Sequence, residues 1–259
     1  MSWRRGAVVL VKFVSISLYR AWAEIKAESK RSYAGILWWL IRPLLSLAVY
    51  GIVFGMIFKN TMPNFLLFLF SGIIAWEWFS SSVLRSANSI NANRNLMLLV
   101  KVDPAMFPLS VNFVDTVKFL LGFSILFIAV IIQIGVNINM LYLPLIMGGE
   151  FLFCVGVGFV FAAVTPFVPD CMMILTTAMQ LLMFLSGVFY RIDSLPAIVQ
   201  RYIVINPMAS VLNQYRLVLI DKTNPDWASL LYTYVFAGIL IIIGYAMIKR
   251  FSCIYAKRW

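Results

Sequence analysis

The sequence predicts an all-α polytopic membrane protein. It should have six transmembrane helices, an N-terminal amphipathic helix in the membrane interface, and two short re-entrant helices between spans five and six. Three observations predict it. Of the 259 residues, 63% are hydrophobic and 12% charged, with mean hydropathy +0.93, far outside soluble composition. Six mostly apolar runs have the length of about 20 residues that a helix needs to cross the hydrocarbon core. The 21 Lys and Arg, against 10 Asp and Glu, gather beside some runs and avoid others. Residues 1–259 read as a single transmembrane domain.

The N-terminal segment, residues 1–34, holds Arg4, Arg5, Lys12, Arg20, Lys26, Lys30 and Arg31. Val11, Val14, Leu18, Trp22 and Ile25 recur at three- and four-residue steps, with Arg20, Glu24, Glu28 and Arg31 on the far side. Such a helix should lie in the cytoplasmic interface with its apolar face down; a simple orientation anchor is the plainer reading. Crossings follow over residues 37–58 and 65–84. The first is no cleavable signal peptide, because its apolar stretch is too long and lies behind a basic helix.

Residues 85–104 form the only sizeable cytoplasmic connection. Its polar start (Ser86, Asn88, Ser89, Asn91, Asn93, Asn95) followed by Leu96–Val100 suits a short amphipathic helix able to dock into another protein. Further crossings are expected over 110–134, 141–164, 171–190 and 228–248. Between the last two, residues 191–227 carry two helix-start signatures: Ser194 as cap ahead of Pro196, and Asn206 as cap with Pro207 in the first helical position. Neither following segment is long enough to span, so both should tuck into the outer face of the bundle as a gate or as a structural plug. The basic residues of the N-terminal segment, of the 85–104 loop (Arg85, Arg94, Lys101) and of the tail (Lys249, Arg250, Lys257, Arg258) outnumber Lys59, Arg191, Arg201, Arg216 and Lys222 opposite. Both termini are therefore expected in the cytoplasm. Anionic lipid headgroups, rather than nucleic acid, are the expected counter-charge.

The absence of histidine removes the commonest general base, the usual zinc ligand and every Ser-His or Cys-His nucleophile. The three cysteines make no disulfide framework. No catalytic or metal site is predicted. Glycine is nowhere followed by lysine, so the chain has no P-loop and cannot bind ATP that way. Uphill transport would draw on an ion gradient or a partner ATPase.

Ionisable groups inside spans are candidates by their cost: Arg42, Glu77, Asp115, Lys118 and Glu150. Asp115 and Lys118, at i and i+3, can neutralise each other. Trp39, Arg42, Ser46 and Tyr50 form a stripe on the first span, and Thr177, Gln180, Phe184, Gly187 and Arg191 one on the fifth. Lipid rejects such faces, so they should face each other or a water-filled path. Aromatic rings with hydroxyl and amide groups suit sugar, although interfacial belt residues are the ordinary explanation for tryptophans such as Trp38, Trp39, Trp76 and Trp78.

The run Tyr33-Ala-Gly-Ile-Leu-Trp-Trp-Leu-Ile-Arg-Pro43 leading to Phe54-Gly55 resembles the first span of bacterial ABC-2-type polysaccharide exporter permeases. Further matches are Ser71-Gly72-Ile73 with Trp76, Asn95-Leu96 before Lys101-Val102, Gly187-Val-Phe-Tyr190, Leu195-Pro196, Ile205-Asn206-Pro207 and Tyr215-Arg216. The resemblance covers nearly the whole chain, in order. Pro169-Asp170 lacks the arginine that family members often carry in that loop.

The resemblance implies a homodimeric inner-membrane permease with two copies of a separate ABC ATPase subunit. ATP and Mg would be bound there, and no cofactor by this chain. It further implies export of an undecaprenyl-diphosphate-linked polysaccharide, such as lipopolysaccharide O-antigen, to the periplasm. On that reading Trp39, Arg42, Ser46, Tyr50, Thr177, Gln180 and Phe184 line the conduit, and Arg20, Lys26, Lys30 and Arg31 border the lipid-head portal. Ser89, Asn91, Arg94, Asn95 and Leu96 couple to the ATPase; Pro196, Asn206, Pro207, Tyr215 and Arg216 build the periplasmic gate. Capsule or teichoic acid export is the alternative within the class. A polytopic glycosyltransferase or lipid-phosphate enzyme should show an Asp/Glu/His-rich loop, which is missing, and an ion-coupled carrier would use Glu150 or Asp115.

Overall fold

A thirty-residue helix, α1 (Ser2–Arg31), begins the chain. The computed structural model describes residues 2–31, 35–57, 62–100, 102–168 and 170–255, without the side chains of 2–12, 31, 56, 57, 253 and 254. Tyr33, Phe58, Lys59, Lys101, Pro169 and the Arg31 side chain, all used above, thus lie outside the described residues.

The first run forms α2 (Leu37–Tyr50), which passes directly into a π-helical segment, Gly51–Ile57. Pro43 lies inside it, where a ring removes one ladder hydrogen bond. Then come α3 (Phe65–Ala92), the short α4 (Arg94–Leu99), α5 (Met106–Gln133), a 3-10 turn over Ile138–Tyr142, and α6 (Leu143–Val164). The chain continues through α7 (Cys171–Leu185), α8 (Ala197–Ile203), α9 (Pro207–Leu219) and α10 (Trp227–Tyr255). No strand occurs among the described residues.

Among the described residues five helices are long and apolar enough to cross a membrane: Leu37–Gly55, Phe65–Ala92, Met106–Gln133, Ile138–Val164 and Trp227–Ser252. The expected crossing over 171–190 differs. Its helix has 15 residues, about 22 Å at 1.5 Å per residue against a ~30 Å core. It stops because Gly187 takes φ +77° and the Ser186 hydroxyl donates back to the Leu182 carbonyl (2.6 Å). The second crossing differs in the opposite sense. α3 runs on through Ala92, well past Leu84, because Ser86 and Ser89 are buried and Ser86 Oγ donates to the Pro108 carbonyl (3.3 Å) while accepting from Asn112 (3.0 Å). Only Arg94–Leu99 of the expected connection is a separate helix, and none of its residues is buried.

α3 is the central pillar: 78% of its most apolar window is buried, against 11% for the first span. Trp78 stacks on Phe119 of α5 (centroids 4.0 Å apart) and Phe79 on Phe153 of α6 (5.0 Å). α6 and α10 pack backbone to backbone. A Cβ on Gly244 would lie 2.6 Å from Phe159 Cβ and 2.7 Å from Val160 N, so only glycine allows this approach. Asn206 caps α9 as expected, its side chain accepting from Met208 N (3.0 Å) with Pro207 next. Ser194 is not the cap of α8. It closes a 3-10 turn, donating to the Arg191 carbonyl (2.7 Å), and Pro196 takes the cap position.

Candidate functional site: a cleft beside the first span

The helical spacing that places Trp39, Arg42, Ser46 and Tyr50 on one face of α2 turns that face onto a cleft of about 960 Å³. α3 and α5 supply further walls, and α7 contributes Thr176, Met179, Gln180 and Met183. The stripe on α2 and Gln180 thus line one cleft. Thr177 and Phe184 are not among the lining residues. Thr177 Oγ1 donates to the Met173 carbonyl (3.1 Å), and Phe184 packs on Phe189 (5.1 Å). Beyond Tyr50 the wall passes into an aromatic cluster, with Tyr50 edge-on to Phe189 (4.9 Å) and Phe54 stacked on it (4.8 Å).

Glu77 is one of the ionisable groups that the sequence places inside a span. It lines the cleft from α3, and Ser46 Oγ donates to its Oε1 across the gap from α2 (2.9 Å). The available signal was an acidic residue in an otherwise apolar run, which lipid does not tolerate.

At the end of the cleft nearest α1, five charges form one network. Arg85 reaches Glu24 (2.7 Å), Glu28 (3.3 Å) and Asp115; Lys118 reaches Glu28 (2.7 Å) and, more distantly, Asp115 (3.8 Å). The Asp115–Lys118 pairing is therefore only part of the arrangement, in which Asp115 depends chiefly on Arg85. Lys118 also sits 5.2 Å from the Trp39 ring centroid. The face of α1 that carries Arg20, Glu24 and Glu28 is turned toward protein. Arg20 donates to Asn93 and lies over the Phe107 ring (4.5 Å); burial pulls its guanidinium below the ordinary value, with Glu24 opposing. Leu18, Tyr19 and Trp22 are exposed on the other side. Of the remaining portal residues, Lys26 lies over the Trp22 ring (5.0 Å) and Lys30 is exposed.

The coupling candidates divide. Ser89 is buried and donates to the Ser86 carbonyl (2.7 Å), while accepting at its own carbonyl from Asn93 (2.7 Å). Asn91, Asn95 and Leu96 are exposed and Arg94 is partly buried. Leu98, Leu99 and Val100 continue the exposed edge, Leu99 at 82%.

Of the gate candidates, Asn206 also donates to Ser186 Oγ (2.8 Å), tying α9 to the end of α7. Tyr215 is buried and its hydroxyl donates to Glu150 Oε2 of α6 (2.7 Å). Arg216 is buried as well, donating to the Gly187 (2.8 Å) and Val188 (2.9 Å) carbonyls and lying 3.6 Å from the Phe68 centroid. A Cβ on Gly72 would meet Arg216 Nη2 at 2.9 Å, so glycine makes room for the guanidinium. α9 is thereby riveted to α3 and α6. α8, by contrast, has no buried residue, and Pro196 stands at its start.

The ABC-2 type transporter family model matches residues 18–220. An O-antigen export system permease protein of Klebsiella pneumoniae is 27% identical over 238 residues, covering 90% of this chain and 91% of its own. A polysialic acid transport protein of Escherichia coli is 26% identical, covering 87% and 89%. A capsule polysaccharide export inner-membrane protein of Neisseria meningitidis is 24% identical, covering 88% of each.

Proposed function

The chain belongs to the ABC-2 type transporter family, and from that premise we propose that it is the permease of an ATP-driven exporter of lipid-diphosphate-linked polysaccharide, O-antigen first among the candidates. It is a transport subunit rather than an enzyme. The observation that carries the reading is the cleft, where Trp39, Tyr50 and Gln180 present rings and an amide beside the Arg42 guanidinium. Sugar chains crossing a low-dielectric slab exchange water for such groups; an apolar seam would leave each hydroxyl unpaired at roughly 1–3 kcal/mol.

The parts follow from position. The end bearing α1, Arg85 and Lys249 is the cytoplasmic one by its positive charge, and both termini lie there. α1 rests in the interface on Leu18, Tyr19 and Trp22, and Lys26 and Lys30 with Arg42 receive the undecaprenyl diphosphate head. The Arg94–Val100 edge docks one of two ATPase subunits. α7 and the chain after it complete the sixth crossing, with α8 and α9 re-entrant at the periplasmic face. The first span is thinly buried and α7 buries only Leu175 and Met179; a second copy of the chain covers these flanks and closes the conduit. Export of O-antigen rather than capsule is supported by the Klebsiella relative's name and by the lower identity of the Neisseria one.

Single cysteines at Tyr50 and Gln180, in permease reconstituted with its ATPase, should react with a small polar thiol reagent during turnover, while cysteine at Leu44 should not. Labelling at Leu44 with protection at Tyr50 in every nucleotide state would overturn the assignment of the conduit.

A further inference from the structure

The carboxylates lining the cleft are not equivalent. Glu28 and Asp115 are engaged by Arg85 and Lys118, with Glu24 also on Arg85, so every carboxylate at that end of the cleft faces a cation. Glu77 lies farther along, at the level of Ser46, one turn of α2 beyond Arg42. None of the ion pairs among the described residues engages it; its Oε1 takes a neutral hydroxyl hydrogen bond instead. A carboxylate lining a low-dielectric passage is felt by whatever threads past.

We propose that Glu77 sets the charge class of the cargo: the conduit favours glycans with uncharged repeat units and disfavours those carrying a carboxylate in each repeat. This rests on the export reading above and adds a specificity residue to it. The distinction between lipid head and polymer makes the idea workable. A diphosphate head passes once, with Arg42 adjacent, whereas an acidic polymer meets the Glu77 carboxylate again with every repeat and has no matching run of cations along α2. Burying a carboxylate here without a partner ion is costly, which explains an acidic residue in α3 better than packing does, since an apolar residue of the same size would fill that space more cheaply.

The test uses the permease with its ATPase in proteoliposomes and two undecaprenyl-diphosphate-linked glycans of equal length, one of neutral hexoses and one with a uronic acid in each repeat. The reading is the ratio of acidic to neutral glycan exported. Glu77→Gln should raise that ratio about fivefold, the factor that one like-charge contact across water corresponds to, whatever it does to total flux, and Glu77→Asp should keep the wild-type ratio. Raising salt with the wild-type protein should move the ratio in the same direction by screening, a measurement that needs no variant to fold. An unchanged ratio in Glu77→Gln and across the salt series, or an equal shift in Glu77→Asp, overturns the proposal while leaving export intact. Wild-type protein that moves neither glycan overturns the export reading itself.

Discussion

Replacing Tyr215 with phenylalanine removes one oxygen atom and nothing else. The ring keeps its neighbours, with Phe119 at 6.4 Å and Phe123 at 6.0 Å between centroids. What is lost is the 2.7 Å hydrogen bond to Glu150 Oε2. Glu150 is fully buried, and its other oxygen has no partner among the described residues, so the variant leaves a whole carboxyl group unsatisfied. Side-chain hydrogen bonds in membrane proteins average only about 0.6 kcal/mol, with a maximum near 1.7, because the unfolded chain in lipid also finds partners. Orphaning a buried polar group costs roughly 1–3 kcal/mol. The two ranges overlap near 1.5 kcal/mol, about a tenfold loss in the folded-to-unfolded ratio. The assay is reversible unfolding of purified protein in mixed micelles, followed by circular dichroism across a titration with sodium dodecyl sulfate. Tyr215→Phe should then be nearly neutral in a Glu150→Met background, since removing both partners leaves nothing unpaired, and the cycle should return a coupling of about 1.5 kcal/mol. A neutral Tyr215→Phe, or strict additivity in the double variant, would refute the view that this bond holds α9 to α6.

Gly72→Ala should destabilise by about 1–3 kcal/mol in the same titration, because the new methyl group meets Arg216 and the Val188 carbonyl at 2.9 and 3.1 Å. Arg85→Gln should cost about 3 kcal/mol or more, since Asp115 is only 2% exposed and loses its chief partner, whereas Glu24→Gln, at 31% exposure, should cost less than about 1 kcal/mol; hydrogen exchange should show α1 loosening in the first variant and α6 and α10 unchanged. Leu99→Glu should abolish co-purification with the ATPase subunit without altering the unfolding curve, because that side chain is 82% exposed among the described residues.

The long apolar helices were legible because length and hydropathy are local properties, and the Asn206-Pro207 start was legible because a cap is made within a few residues of itself. What was not legible depends on contacts between distant segments. α7 ends at Leu185 because Gly187 turns left-handed and Ser186 meets Asn206, and an apolar run through Tyr190 carries no sign of either. The stripe on α2 follows from its own spacing, whereas of the stripe on α7 Gln180 lines the cleft and Thr177 does not, Thr176 standing there instead; polar residues at adjacent positions cannot be ranked without knowing where the neighbouring helix lies. The charged face of α1 reads as a face for water until Arg85 and Lys118, more than fifty residues on, are seen to meet it.

The same long-range contacts separate what is fixed from what is free to move. Gly72, Gly187, Tyr215 and Arg216 belong to three sequence motifs that converge on one buried cluster, in which the guanidinium bridges two carbonyls and lies over an aromatic ring. Displacing α9 would strand that guanidinium and the Glu150 carboxyl together, at a cost of several kcal/mol by the usual penalty for unpaired buried groups. On the proposed export reading, any opening of the cleft should therefore occur elsewhere. The first span, α7 and α8 are thinly packed, with few or no buried residues, and the first two of them help to wall the cleft. On that reading the cleft should open by displacement of its own walls, with α9 as the fixed post beside them.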